Sequence, residues 1–140
     1  VREYTVRGHQ IAGHGHDHTR FTELSPTRLH GQLTRTTAVL GPQPEGKWVR
    51  PPHGALGPAS LAQLLATGWT VAMWSFDGKD YELTSADALV AHCAPANLVA
   101  GDVILLHEGQ QWTIDALPRI VEAARRDGFT FVTMADLFAR

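Results

Sequence analysis

The sequence predicts a parallel α/β fold, either an open sheet or a barrel. Three observations carry that expectation. Short apolar runs rich in β-formers alternate with stretches of helical spacing, and Gly and Pro punctuate the two. Residues 69–76 (WTVAMWSF) are almost uninterrupted in their apolarity, like a strand buried on both faces of a parallel sheet. His14, Arg50, Asp77 and His107 each fall near the C-terminal end of an expected strand, the edge on which parallel α/β folds build their sites.

In chain order, a strand is expected to run into His14 and turn into a loop there. Ser25-Pro26 reads as an N-cap followed by proline at the first helical position. Leu29, Leu33 and Leu40 continue that helix to a stop at Gly41. A Pro/Gly loop over 42–47 leads to a short strand at Trp48-Val49, and a helix over 58–67 ends at Gly68. Strand 69–76, helix 85–93, strand 102–107 and helix 114–127 follow, with Pro118 in the first turn of the last and Gly128 closing it. Strand 129–132 and a terminal helix from about 134 complete a series of about five strands.

The 140 residues suit one domain, long enough to bury about two-thirds of the unfolded surface. A 44% apolar and 19% charged composition is globular rather than disordered. The net charge of −2 and scattered basic residues argue against nucleic acid as a partner. No apolar run is long enough for insertion across a membrane, and Cys93, the lone cysteine, is expected as a small buried side chain on a helix. The chain opens on Val1-Arg2-Glu3-Tyr4 without a methionine, so a preceding segment is expected.

Four of the eight histidines lie within residues 9–18. Neutral imidazole is the commonest metal ligand, so this cluster is the prime candidate for a metal centre. His14, His16 and His18 could ligate in different pairs; His14 with His18 is favoured, with His9 and His16 as framework. Arg50-Pro51-Pro52-His53-Gly54 holds a cation rigidly after a strand, or is simply a loop. Asp77-Gly78-Lys79-Asp80-Tyr81 could bind metal, act as a base, orient a histidine, or form a solvated turn. His107, after Leu105-Leu106, is either a satisfied core histidine or a general acid.

The order of these clusters is more specific than any one of them. His-x-x-x-His, Arg-Pro-Pro-x-Gly, Asp-x-x-Asp-aromatic and Leu-x-His together resemble the polysaccharide deacetylase (NodB-homology, carbohydrate esterase) family. Residues 8–14 (GHQIAGH) are similar to its "GHEIGNH" phrase, and Thr22-Glu23-Leu24-Ser25 to its "T-x-L-S" helix start. The resemblance runs from about residue 5 to the C-terminus. It implies an irregular, incomplete (β/α) barrel of about seven strands, so the first one or two βα units would be absent from residues 1–140, which would form one catalytic domain lacking its N-terminal part.

The resemblance also implies residue roles. His14 and His18 would be two of three protein ligands of one divalent ion, most often zinc, with cobalt, nickel or manganese as alternatives. Arg50 would orient a catalytic aspartate, and the backbone N–H of His53 would help stabilise the tetrahedral oxyanion. His107 would be the general acid and Asp80 its tuning partner, while Tyr81 and Leu105 would line the pocket for the acetyl methyl. The substrate would be an N- or O-acetylated saccharide, and the setting secreted or cell-envelope.

Three departures from the family pattern stand out. His53 replaces the usual tyrosine, and Tyr81 the usual tryptophan. The "TFDD" motif, which would supply the base and the third ligand, occurs nowhere in the chain, so an upstream segment is expected to complete the site. Other readings fit less of the sequence. His14-Gly15-His16-Asp17-His18 is one residue short of the metallo-β-lactamase His-x-His-x-Asp-His and leaves the downstream motifs unexplained. An amide hydrolase of the same superfamily acting on a non-sugar substrate would depart from those motifs. A non-catalytic carbohydrate-binding remnant would keep the fold without the base.

Overall fold

The computed structural model describes residues 1–139. The described chain divides into two compact units, residues 1–73 with 133–139, and residues 74–132. Each unit holds one two-stranded parallel sheet with helices packed on it.

In the first unit, α1 (Arg2–Val6) precedes an extended segment that reaches Gly13. The expected strand into His14 reduces to one parallel bridge, Gly13 to Val49, made by Gly13 N–H to Trp48 O (2.7 Å) and Arg50 N–H to Gly13 O (2.9 Å). Helix α2 (Pro26–Leu40) has the expected bounds: the Ser25 hydroxyl accepts from Arg28 N–H, and Gly41 at φ 73° ends the helix. Strand β1 (Lys47–Val49), helix α3 (Pro58–Ala66) and strand β2 (Trp69–Val71) follow, with Lys47, Trp48 and Val49 opposite Trp69, Thr70 and Val71. Phe21, Leu29, Leu33, Val49, Leu64 and Trp69 form the buried core, so α2 and α3 cover the sheet with their leucines. Helix α6 (Met134–Phe138) belongs to this unit, where Ala135 N–H donates to Gln10 Oε1 at 2.9 Å.

The second unit contains β3 (Phe76–Asp77), α4 (Ala86–His92), β4 (Ile104–Leu105) and α5 (Gln111–Arg126). Phe76 and Asp77 pair in parallel with Ile104 and Leu105. Leu89 and Cys93 from the α4 region pack on Ala116 and Ile120 of α5, so Cys93 is buried as expected.

Three sequence expectations fail here for identifiable reasons. Run 69–76 is two strands, because the hydrogen-bond partner changes along it: Ala72 N–H bonds Val49 O, whereas Ser75 and Phe76 N–H bond Val103 O. Apolarity reports burial and is blind to a change of partner. Residues 129–132 form no strand; Phe129 N–H closes on Ala124 O, and Phe131 and Val132 are exposed. Helix α5 starts at Gln111, three residues earlier than expected, which puts Pro118 inside it instead of in its first turn. Thr113, Ala116, Ile120 and Ala124 are buried on one face, while Pro118 lies exposed, so burial of that stripe carries the helix past the proline's missing hydrogen bond.

Candidate active site

The first unit carries the histidine loop. Its shape comes from Gln32, buried at 3% exposure on the apolar face of α2. The Gln32 Oε1 accepts the backbone N–H of His16 (2.7 Å) and of Asp17 (3.2 Å), tying the loop to the helix. Asp17 accepts the hydroxyl (2.7 Å) and N–H (3.1 Å) of Thr19, and these bonds, the Thr19 hydroxyl first, hold its carboxyl down at about 2. Gly15 at φ 76° and His18 at φ 63° reverse the chain between the two candidate ligands.

His14 Nδ1 lies 2.7 Å from the Arg50 carbonyl oxygen. A carbonyl only accepts, so Nδ1 carries the proton and the neutral ring has its lone pair on Nε2. Backbone carbonyls commonly fix metal-ligating histidines in this way. The His14 and His18 rings are 5.0 Å apart between centroids, and the His53 ring stands 4.5 Å from that of His18. The donor chemistry therefore suits a borderline divalent cation, with imidazole nitrogens at close quarters and one ring held in the ligating tautomer. Among the described residues, no three His, Cys, Asp or Glu side chains are arranged to hold a metal ion. His9 instead packs its ring on Tyr4, 6.1 Å away, while His16 is exposed and its N–H is taken by Gln32.

Arg50 follows β1 directly, and its backbone is fully engaged: N–H to Gly13, carbonyl to His14. Pro51 and Pro52 are fully buried and make this turn rigid. His53 is exposed in the tight turn Pro52–Gly54, with φ at 56°, a left-handed conformation uncommon for a non-glycine residue.

The second unit carries the carboxylate–imidazole pair. Asp80 is 0% exposed, and its Oδ1 lies 2.8 Å from His107 Nδ1. Its Oδ2 accepts the His107 N–H (2.6 Å) and the Thr113 hydroxyl (3.0 Å). Burial pushes the Asp80 carboxyl up, but the bonds from the His107 ring, the His107 N–H and Thr113 outweigh it and hold the group below the usual range. The His107 side chain is 41% exposed, so one nitrogen is anchored on a buried carboxylate while the ring reaches solvent.

The turn leading to Asp80 is built with little slack. A Cβ at Gly78 would come within 2.6 Å of both the Leu105 carbonyl oxygen and Leu106 Cδ2, so only glycine fits against β4. Asp77 Oδ1 accepts Lys79 N–H (2.9 Å) and stabilises Lys79 at φ 55°. Leu105, expected in an acyl pocket, is 6% exposed on β4. Tyr81 is 52% exposed, and its ring stands at 87° to that of His107 with centroids 5.6 Å apart. The Tyr81 hydroxyl donates to Asp77 Oδ2 at 2.7 Å, which, ahead of desolvation, raises that hydroxyl's pKa to about 12.

Two supporting residues escaped the motif reading. Gln32 and Thr113 are polar residues set in otherwise apolar helix stripes, the one local signal they offer. Trp112 lies beside Thr113 in the first turn of α5. Its indole packs against the second unit's core and donates Nε1–H to Asp80 O at 2.8 Å.

Comparison with known proteins matches the chain to one family. The family model described as polysaccharide deacetylase matches residues 1–72. A peptidoglycan-N-acetylglucosamine deacetylase of Bacillus cereus is 27% identical over 148 aligned positions, covering 98% of this chain and 67% of the relative. A second from the same organism is also 27% identical, and there 99% of this chain covers 52% of the relative. The chain thus spans between about half and two-thirds of the length of these relatives. A solved peptidoglycan N-acetylglucosamine deacetylase superimposes with a TM-score of 0.89 at 26% identity, covering 99% of this chain and 67% of that one. With more than half of its length matched by the family model, and an α/β architecture shared with a solved relative, the chain belongs to the polysaccharide deacetylase family.

Proposed function

We propose that this chain is the greater part of a metal-dependent hydrolase that removes acetyl groups from an N- or O-acetylated saccharide. The buried Asp80 holding the His107 ring at 2.8 Å carries the reading. His107 is the general acid. With Nδ1 bonded to Asp80, it presents a proton at Nε2 and delivers it to the leaving nitrogen or oxygen as the acyl bond breaks. Asp80 keeps the ring in that orientation, as a buried carboxylate does for a catalytic imidazole.

His14 and His18 are two protein ligands of one divalent ion, zinc foremost, with cobalt, nickel or manganese able to replace it. Held there, the ion supplies a Lewis acid for the acetyl carbonyl. Zinc in catalytic sites takes three protein ligands; by the family resemblance the third, together with the general base, comes from a segment upstream of these residues. Arg50, rigid between β1 and two buried prolines, orients that base. The His53 N–H donates to the oxyanion, and Tyr81 and Leu105 flank the acetyl methyl. The same segment supplies the first one or two βα units of an irregular, incomplete (β/α) barrel, and the acetylated polymer places the protein in the cell envelope or outside the cell.

Acetate release tests the proposal directly. The protein carrying its upstream segment, loaded with zinc or cobalt, is offered N-acetylglucosamine oligomers and acetylated xylan. Metal-dependent acetate from at least one is the expected result. No acetate from any acetylated saccharide, with metal bound, overturns it.

A further inference from the structure

Asp77 has no role in the proposed chemistry, yet both oxygens of its carboxylate are engaged. Oδ1 takes the Lys79 N–H at 2.9 Å and Oδ2 the Tyr81 hydroxyl at 2.7 Å. Asp77 is itself fixed, since it ends β3 and His92 Nε2–H donates to its carbonyl oxygen at 2.9 Å. Tyr81 is the opposite case: 52% exposed, it has little packing to select one rotamer. Its ring nevertheless stands perpendicular to that of His107, at 87° and 5.6 Å. Among the described residues, the polar anchor on that ring is the bond to Asp77, a hydroxyl-to-carboxylate hydrogen bond of the strong, charge-assisted kind.

We propose that Asp77 is a positioning residue for the general acid: it clamps the Tyr81 hydroxyl, and the clamped ring forms the wall that limits how the exposed part of His107 can turn. Asp80 grips the imidazole at Nδ1, and the Tyr81 ring stands near-perpendicular to it at 5.6 Å between centroids. The inference rests on His107 being the acid. It gives the departure from tryptophan at position 81 a physical sense, because a phenol can reach this carboxylate through its hydroxyl.

The test compares Tyr81→Phe, Asp77→Ala and the double variant in the full-length protein, using His107 ring-proton resonances and steady-state kinetics together. Tyr81→Phe is the cleaner probe, since it removes the clamp and leaves the Asp77–Lys79 contact in place. Each single variant is expected to shift the His107 resonances and to lower kcat by about tenfold with KM little changed, as a misplaced catalytic group does. The double variant should do no more than either single one. Unmoved resonances and unchanged kcat in Tyr81→Phe overturn the clamp, as does a shift seen only in Asp77→Ala, which would assign the effect to the Lys79 turn. If the resonances shift but the wild-type protein deacetylates nothing, the deacetylase reading fails and the clamp stands.

Discussion

The two units prepare their functional histidines in different ways. In the second unit, His107 is held by a side chain that is itself buried, and Asp80 is fixed in turn by a backbone N–H and by Thr113. In the first, His14 is oriented by a backbone carbonyl, and the His18 loop by a glutamine that bonds the N–H groups of its neighbours. A carboxylate–imidazole pair can be completed inside one folding unit. A metal site needs donors from several segments, and here two imidazoles stand 5.0 Å apart with no three-residue metal group among the described residues. Replacing Asp80 should therefore damage the fold itself, whereas replacing His14 or His18 should damage only metal binding.

One expected effect tests the first unit. His18→Ala in the full-length protein should weaken zinc binding by at least about a hundredfold, read by competition with a chromophoric chelator, because one of three protein ligands is lost. The melting temperature of the metal-free protein should stay within a degree or two. A large drop there would show that the loop depends on the ring for its structure.

Asp80→Ala should cost about 3 kcal/mol in chemical denaturation, since it strands the His107 N–H and the Thr113 hydroxyl in a buried site. A loss within about 0.5 kcal/mol, the range usual for surface changes, would remove the contrast between the two units. Gly78→Ala should cost about 2 kcal/mol in the same assay, as its Cβ meets the Leu105 carbonyl.

The pH dependence sharpens the same comparison. The folded Asp80 carboxyl lies below its unfolded value, so between those two values the unfolded chain binds more protons and stability rises with pH. The contribution is complete above about pH 5, beyond the ordinary aspartate range, and is lost as pH falls through the folded value. Asp80→Asn should therefore flatten the acid limb of the stability profile. An unchanged acid limb would place that titration elsewhere. The smallest effect belongs to His16→Ala, which should leave metal content intact; loss of metal would return the site to three imidazoles.

Much of this was legible in the chain because it is local. Ser25 and Gly41 bound α2 by capping chemistry alone, and the order of the four motifs by itself points to the family. What escaped was set by distant partners. The break in 69–76 depends on where Val49 and Val103 lie, and the start of α5 on burial of Thr113 beneath Asp80. Gln32 and Thr113 looked like interruptions of apolar stripes. Each is the polar anchor of a histidine site some distance away in sequence, with 16 and 33 residues separating the bonded pairs Gln32–His16 and Thr113–Asp80.

The central claim is that His107 moves a proton and takes no part in holding metal. Acetate release and bound zinc, measured on the same preparation of His107→Ala in the full-length protein, test it most directly. Deacetylation should fall by about a thousandfold with zinc content unchanged, in line with loss of a general acid. Zinc lost in step with activity, or activity retained, would contradict the assignment.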